Sequence, residues 1–332
     1  MLNPRLSLAV DGGQIALPSE GRIAVFAPTQ GADLSALPKD RCVIIQSFKP
    51  DHDAFAQAGY DCVTEANGEL SSGEFSASVV FLTRAKVQAR ALIAQAASFG
   101  GLVIVDGQKT DGAESFLKEC KKRSDIQGKI SKAHGKLFWF QGGDYADWVS
   151  PGPKDIGEGF VTAPGVFSAD GIDPASAALA AALPVKLGKN VADLGAGWGY
   201  LSQSILQRDG VETLYLIEAE KAALDCAKQN ITDPRAEFHW ADATLWAPRA
   251  KMDTVVMNPP FHTGRAAEPE LGRKFIAAAA AMLAPAGHLW LVANRHLPYE
   301  TTLEGLFAKV TEMAGDNRFK VLRAERPSRP RR

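Results

Sequence analysis

Asn190-Val191-Ala192-Asp193-Leu194-Gly195-Ala196-Gly197-Trp198-Gly199 is an apolar strand running into an acid and then into three glycines at alternate positions. Helical spacing follows at 200–207. The glycines therefore occupy a strand-to-helix turn, where backbone without Cβ atoms lets a ligand approach and the helix start offers free N–H groups. Dinucleotide folds use Gly-x-Gly-x-x-Gly at this place, whereas the spacing here is Gly-x-Gly-x-Gly.

The next apolar run, 213–217, ends in Glu218, about where an acid accepts both hydroxyls of a ribose. Phe238-His239-Trp240-Ala241-Asp242 brings a third acid after an apolar stretch, suited to accept from an adenine amino group. Thr254-Val255-Val256-Met257 then closes on Asn258-Pro259-Pro260-Phe261. Neither proline can donate to a sheet ladder, so the strand stops and the loop is stiff. The Asn258 side-chain carbonyl and the Pro259 peptide carbonyl can accept both N–H groups of one planar amine, while Phe261 offers a face to a flat ring. Such a grip turns the amine lone pair out of conjugation and toward an electrophile. Taken singly, each feature is also what a capping acid or an Asn-Pro turn looks like; the order of the four carries the information.

Farther out, 332 residues with 46% hydrophobic and 23% charged composition suffice for two domains with full cores. No apolar run reaches membrane-spanning length and the N-terminus lacks a signal-peptide pattern, so a soluble, cytoplasmic protein with no membrane partner is expected. Cys42, Cys62, Cys120 and Cys226 are widely spaced, with no Cys-x-x-Cys pair. Neither a disulfide frame nor a metal site is expected from them. The net charge of −1 is uneven: seven basic residues against Glu325 between 318 and 332 give +6, leaving −7 elsewhere. A second basic run, 118–136, has seven basic residues against Glu119 and Asp125, a net +5. Both could track phosphates or be solvated faces.

In the first half, residues 22–27, 42–46, 78–82, 102–105 and 137–140 read as strands, and 52–58, 84–99 and 114–123 as helices. The alternation implies a parallel sheet covered on both faces. The loop after its first strand is Pro28-Thr29-Gln30-Gly31 and the second strand ends at Gln46, so an α/β domain without a nucleotide site is expected. Residues 148–165, rich in proline and glycine, read as a linker.

Asp193-x-Gly-x-Gly-x-Gly, Glu218, Asp242 and Asn258-Pro-Pro-Phe, each after a successive strand, resemble the class I S-adenosylmethionine-dependent methyltransferases. Pro164-Gly165-Val166-Phe167-Ser168 with Asp173, His262 and Gly264 after the Asn-Pro-Pro-Phe, the stretch Val292-Ala293-Asn294 with Leu297-Pro298-Tyr299, and the run 318–324 are similar to bacterial ribosomal RNA guanine-N2 methyltransferases of the RsmC type. The resemblance implies two methyltransferase-like (Rossmann-like) α/β domains, the C-terminal one with the intact site and a mostly parallel seven-stranded sheet. The bounds expected are a degenerate, RNA-holding domain at 1–147, the linker at 148–165, the catalytic domain at 166–326 and a basic tail at 327–332. It further implies direct methyl transfer from S-adenosylmethionine, with S-adenosylhomocysteine as product, to a guanine N2 amine in 16S ribosomal RNA or the small subunit, by a monomer. Phe167, Asp193, Gly195, Gly197, Glu218, Asp242 and Asn258 would bind cofactor. Asn258, Pro259, Pro260 and Phe261 would hold the acceptor. Bulky Trp198 inside the glycine loop departs from the family pattern. Methylation of adenine N6 or a glutamine amide, and a non-catalytic RNA-binding or ribosome-assembly module, stay open as alternatives.

Overall fold

A computed structural model of the chain describes residues 4–66, 73–260 and 269–328. The chain divides into two compact units, Met1–Gly152 and Pro153–Arg332.

The first unit runs α1 (Arg5–Val10), β1 (Arg22–Phe26), β2 (Cys42–Ile45), α2 (Lys49–Gln57), β3 (Asp61–Val63), β4 (Phe75–Phe81), α3 (Lys86–Ser98), β5 (Leu102–Gln108), α4 (Ala113–Cys120), β6 (Ile126–Lys132) and β7 (Gly135–Gln141). Its sheet has the order β3-β2-β1-β4-β5-β7-β6. The pairs from β3 to β5 are parallel. The expected parallel sheet holds from β3 to β5, and at its far edge β7 runs antiparallel to β5 and to β6. Ala133 and His134, both at positive φ, make the tight turn that such a hairpin requires. Strand β6 escapes a reading by composition because its exposed positions, Gln127, Lys129 and Ser131, sit inside the basic run and alternate with half-buried Ile126 and Ile130.

The second unit begins with a short hairpin, β8 (Lys154–Asp155) and β9 (Val161–Thr162). It continues α5 (Pro174–Ala182), β10 (Asn190–Leu194), α6 (Tyr200–Leu206), β11 (Thr213–Glu218), α7 (Lys221–Asn230), β12 (Ala236–Trp240), β13 (Met252–Met257), α8 (Pro269–Met282), β14 (Leu283–Asn294), α9 (Glu300–Leu306), β15 (Phe307–Gly315) and β16 (Phe319–Pro327). Its sheet order, β12-β11-β10-β13-β14-β16-β15, traces the same path as the first. Both are α/β sheets of seven strands, mostly parallel.

The two registers can be laid on each other. Phe26 pairs with Ile45 and Val80, as Leu194 pairs with Ile217 and Met257. One step along each strand, Ala27 then corresponds to Gly195, Gln46 to Glu218 and Phe81 to Asn258, and one step back Val25 corresponds to Asp193. Ala27 even keeps the left-handed conformation of Gly195, φ 50° against 75°. Its N–H donates to Ile45 O as that of Gly195 donates to Ile217 O. Gln46 accepts from Phe48 N at 2.9 Å and donates Nε2 to Pro28 O at 2.8 Å, so the side chain at the acid's position is spent on its own loop.

The stretch 148–165 is shared between the units. Trp148 is buried against Phe116 and Tyr145 of the first, while Phe160 is buried against Trp198 of the second. In the second sheet Ala192 and Leu194 face one apolar layer with Val255 and Met257. Val191 and Val256 face the other, with Leu201 and Ile205 of α6. Central strands buried on both sides read as near-continuous apolar runs, and Asp193, wholly buried, interrupts that run.

Candidate active site

Strand order reverses between β10 and β13, since the chain leaves β10 toward β11 and β12 and returns to the other side. Open α/β sheets bind ligands at such a switch point, beyond the carboxyl ends of the strands. Here those ends deliver the glycine loop after β10 and Asn258 after β13. A cleft is lined by both, with Gly195, Ala196, Gly197, Trp198, Tyr200 and Leu201 on one side, Asn258 on another, and Phe167, Ser168, Asp173 and Ser176 on a third. A roomier hollow of about 350 Å³ lies between residues 244–251 and the end of α8. It holds no glycine loop and no carboxylate, so volume does not mark the site.

The loop is held from below and from both flanks. Asp193 takes Ser202 Oγ on Oδ2 at 2.6 Å. Its Oδ1 is buried with no partner among the described residues. Burial, helped by the charge of Glu218 and opposed by the Ser202 hydroxyl, pushes the carboxyl up to about 7. Glu218 accepts from Gly197 N at 2.8 Å and from Glu220 N at 2.7 Å. Burial raises its carboxyl too, against those backbone donors. Gly197 stands at φ 58° with open space where a Cβ would project. At Gly199, φ 96°, a Cβ would meet Ile231 at 2.8 Å, so helix α6 packs closely only without it.

Trp198 does not fill the cleft. It is buried against Phe160 and Tyr200, and its Nε1 donates to Phe167 O at 3.1 Å, tying the Phe167–Ser168 turn to the glycine loop. Ser168 holds φ 51°, uncommon for a residue with a Cβ, and its Oγ donates to Gly171 O at 2.7 Å. Phe167 itself is 57% exposed. Asn230 adds a staple: Nδ2 donates to Trp198 O at 2.7 Å and Val161 O at 2.9 Å, while Oδ1 accepts from Val161 N at 2.8 Å.

On the opposite wall, the Asn258 Nδ2 donates to Asp173 Oδ2 at 3.0 Å and to Ser176 Oγ at 2.9 Å. Asp173 is the N-cap of α5, accepting from Ser176 N at 2.8 Å, and Pro174 opens the helix. Such a cap satisfies a helix-end donor that has no intrahelical partner. Pro259 is buried and Pro260 exposed.

Of the residues singled out from sequence, Phe167, Gly195, Gly197 and Asn258 thus line one cleft, and Asp193 and Glu218 bear on its loop. Asp242 stands at the end of β12, one strand beyond Glu218. Its Oδ1 accepts from Thr244 N at 2.8 Å and Thr244 Oγ1 at 2.7 Å, and it does not line the cleft. Phe261, His262 and Gly264 fall outside the described residues. Ser202, Ser176 and Asn230 were missed, since a serine on a helix and an Asn at a helix end carry no signal of their own. Among the described residues no three of His, Cys, Asp and Glu gather as metal ligands would, and no helix is long and apolar enough to cross a membrane.

A family model described as "Methyltransferase small domain" matches residues 158–323, half of the chain. The ribosomal RNA small subunit methyltransferase C of Shewanella pealeana is 28% identical over 86% of this chain and 95% of its own length. That of Shewanella halifaxensis is 30% identical over 74% of this chain and 76% of its own. Among solved structures, the T. thermophilus 16S rRNA N2 methyltransferase RsmC, in complex with AdoMet and guanosine, shares the fold at a TM-score of 0.79 and 24% identity, covering 98% of this chain and 92% of that one. From the extent of the domain match and the identity held along the S. halifaxensis protein, the chain belongs to the methyltransferase small domain family, with the ribosomal RNA small subunit methyltransferase C proteins.

Proposed function

We propose that this chain methylates the exocyclic N2 amine of a guanine in 16S ribosomal RNA, in the cytoplasm and as a monomer, with S-adenosylmethionine as donor. The observation that carries the reading is the Asn258 amide, whose nitrogen is committed to Asp173 and Ser176, so that its carbonyl oxygen is the end free to accept. The donor fits the opposite wall. The open Cβ position at Gly197 and the buried Asp193 oxygen, which has no partner among the described residues, suit a ligand bearing both a flat nucleoside and cationic groups. Bound there, S-adenosylmethionine would supply a methyl group on a positively charged sulfur, which keeps the bonding pair and leaves as the neutral thioether S-adenosylhomocysteine.

The chain's residues then have separate tasks. Glycines 195 and 197 admit the ligand and Phe167 covers it, while the Asp193 carboxylate stabilises its positive end. Glu218 accepts a backbone N–H on each oxygen and retains lone pairs for ribose hydroxyls; Asp242, outside the cleft, would meet the adenine amino group only where the ligand extends past Glu218 toward the end of β12. Asn258 Oδ1, with the Pro259 carbonyl, holds the acceptor amine while its nitrogen gains the methyl carbon. The surplus proton of the resulting ammonium passes to water. Catalysis by position and by acceptors set where charge develops needs no covalent nucleophile. Unpairing the guanine costs stacking, which Phe261 offsets in part. Lys129 and Lys132 on edge strand β6 guard it against strand pairing with a second copy, in keeping with a monomer.

Labelled-methyl transfer to small-subunit ribosomal RNA tests the proposal. Asn258→Ala is expected to lower the rate at least about 10²-fold with cofactor affinity, read by calorimetry, within about threefold. Equal loss of both would remove Asn258 from the acceptor side.

A further inference from the structure

We infer that Asp173 and Ser176 are positioning residues that set which end of the Asn258 amide meets the substrate. The inference rests on the reading above, in which Asn258 Oδ1 holds the acceptor amine. A primary amide has nearly the same shape in its two flipped orientations, but one end accepts and the other donates. Presented the wrong way round, Asn258 would point N–H groups at an amine that itself donates.

The structure removes that ambiguity. Asp173 Oδ2 and Ser176 Oγ stand 3.0 and 2.9 Å from Nδ2, and an ionised carboxylate can only accept. Flipping the amide would set Oδ1 against the carboxylate and lose that bond, whereas the Ser176 hydroxyl can turn from acceptor to donor, so Asp173 decides the orientation and Ser176 holds the amide in place. The clamp itself is fixed, because the same Asp173 oxygen caps α5 through Ser176 N. That helix buries Ala175, Leu179 and Ala180 in the core under β10 and β13. Ser176 is 7% exposed.

The clamp also acts through charge. As the amine becomes positive during methylation, its N–H pulls electron density toward Oδ1, and a carboxylate at the far end of the amide supports that polarisation. Asp173 touches the reacting amine nowhere in this account; it works through Asn258.

Three variants and one spectrum test the clamp. Asp173→Ala should lower kcat by about 10- to 100-fold while KM for S-adenosylmethionine stays within about threefold. Asn258→Asp should be nearly inactive, since it opposes two carboxylates at the clamp, and adding Asp173→Asn should restore at least about a tenfold gain by exchanging donor and acceptor. A merely structural Asp173 would not produce that recovery. In selectively labelled protein, the Asn258 side-chain amide protons should exchange slowly and lose that protection in Asp173→Ala. Thermal melts check that each variant folds. Folded variants showing no recovery in the exchange, or an unchanged kcat in Asp173→Ala, overturn the inference. Protected amide protons in a chain that transfers no methyl to guanine would instead sink the proposed function and leave the clamp standing.

Discussion

Asp193 has two carboxylate oxygens and, among the described residues, one partner. A folded-state carboxyl raised from 3.8 to about 7 binds a proton that the unfolded chain has already released. Stability from this group is therefore intact below the unfolded value and falls as pH rises toward 7. The cofactor-free chain should lose several degrees of melting temperature between pH 5 and pH 8, and Asp193→Asn should flatten that decline. Cofactor affinity should rise across the same range, because the ionised form is the one a cationic ligand favours. A melting curve whose pH dependence is the same with and without Asp193→Asn would show that another group sets it. At this scale the sequence brought out residues that the fold gathers around one cleft and was silent on how they are held. Gly197 and Asn258 line that cleft, and Asp193 lies under its loop. The direction of Trp198 was not legible, because an indole in a glycine loop looks like an obstruction until its Nε1 is seen donating to Phe167 O.

Among the elements, the hairpin β8–β9 and the glycine loop depend on one side chain. Asn230, the last residue of α7, joins Val161 to Trp198 by three hydrogen bonds. Asn230→Ala leaves those backbone groups without partners, at a cost of about 1–3 kcal/mol for a buried group. The loss falls on the wall proposed to receive the donor. Cofactor affinity should drop about tenfold, with kcat at saturating cofactor within about twofold, as calorimetry and steady-state rates would report; a fall in kcat alone would place the staple elsewhere. Helix and strand periodicity found the central strands of both sheets and several of their helices, with ends shifted by a few residues. Among the elements it missed are β3, three residues long and partly exposed, and β6, whose alternation is hidden by lysines. It also could not join Asp173 to Asn258, 85 positions apart, because a contact made by tertiary packing leaves no spacing to read.

Across the whole molecule, the first unit keeps the sheet path of the second and none of its site chemistry. Its basic run is folded into a surface. Lys136 pairs with Glu114 at 3.1 Å, and that pair, then the nearby charges of Lys118 and Lys129, hold the Glu114 carboxyl below its ordinary value. One acid among three lysines leaves a net positive patch on α4 and the β6–β7 hairpin, suited to phosphates. Reversing Lys118, Lys129 and Lys136 to Glu should weaken RNA binding at least about tenfold at low salt and flatten its salt dependence, with cofactor affinity unchanged. Equal RNA affinity before and after would return the patch to solvent.

The hydrogen bond from Gln46 Nε2 to Pro28 O decides what position 46 can hold. An acid there would set a carboxylate against a carbonyl. Pro28 has no N–H to offer it, and Phe81 would still stand where the second sheet has Asn258. One substitution at position 46 therefore does not give this loop a free carboxylate facing N–H donors: the proline beside it and the phenylalanine across the sheet would have to change with it, so the two halves of the chain are not one mutation apart in what their strand ends can hold.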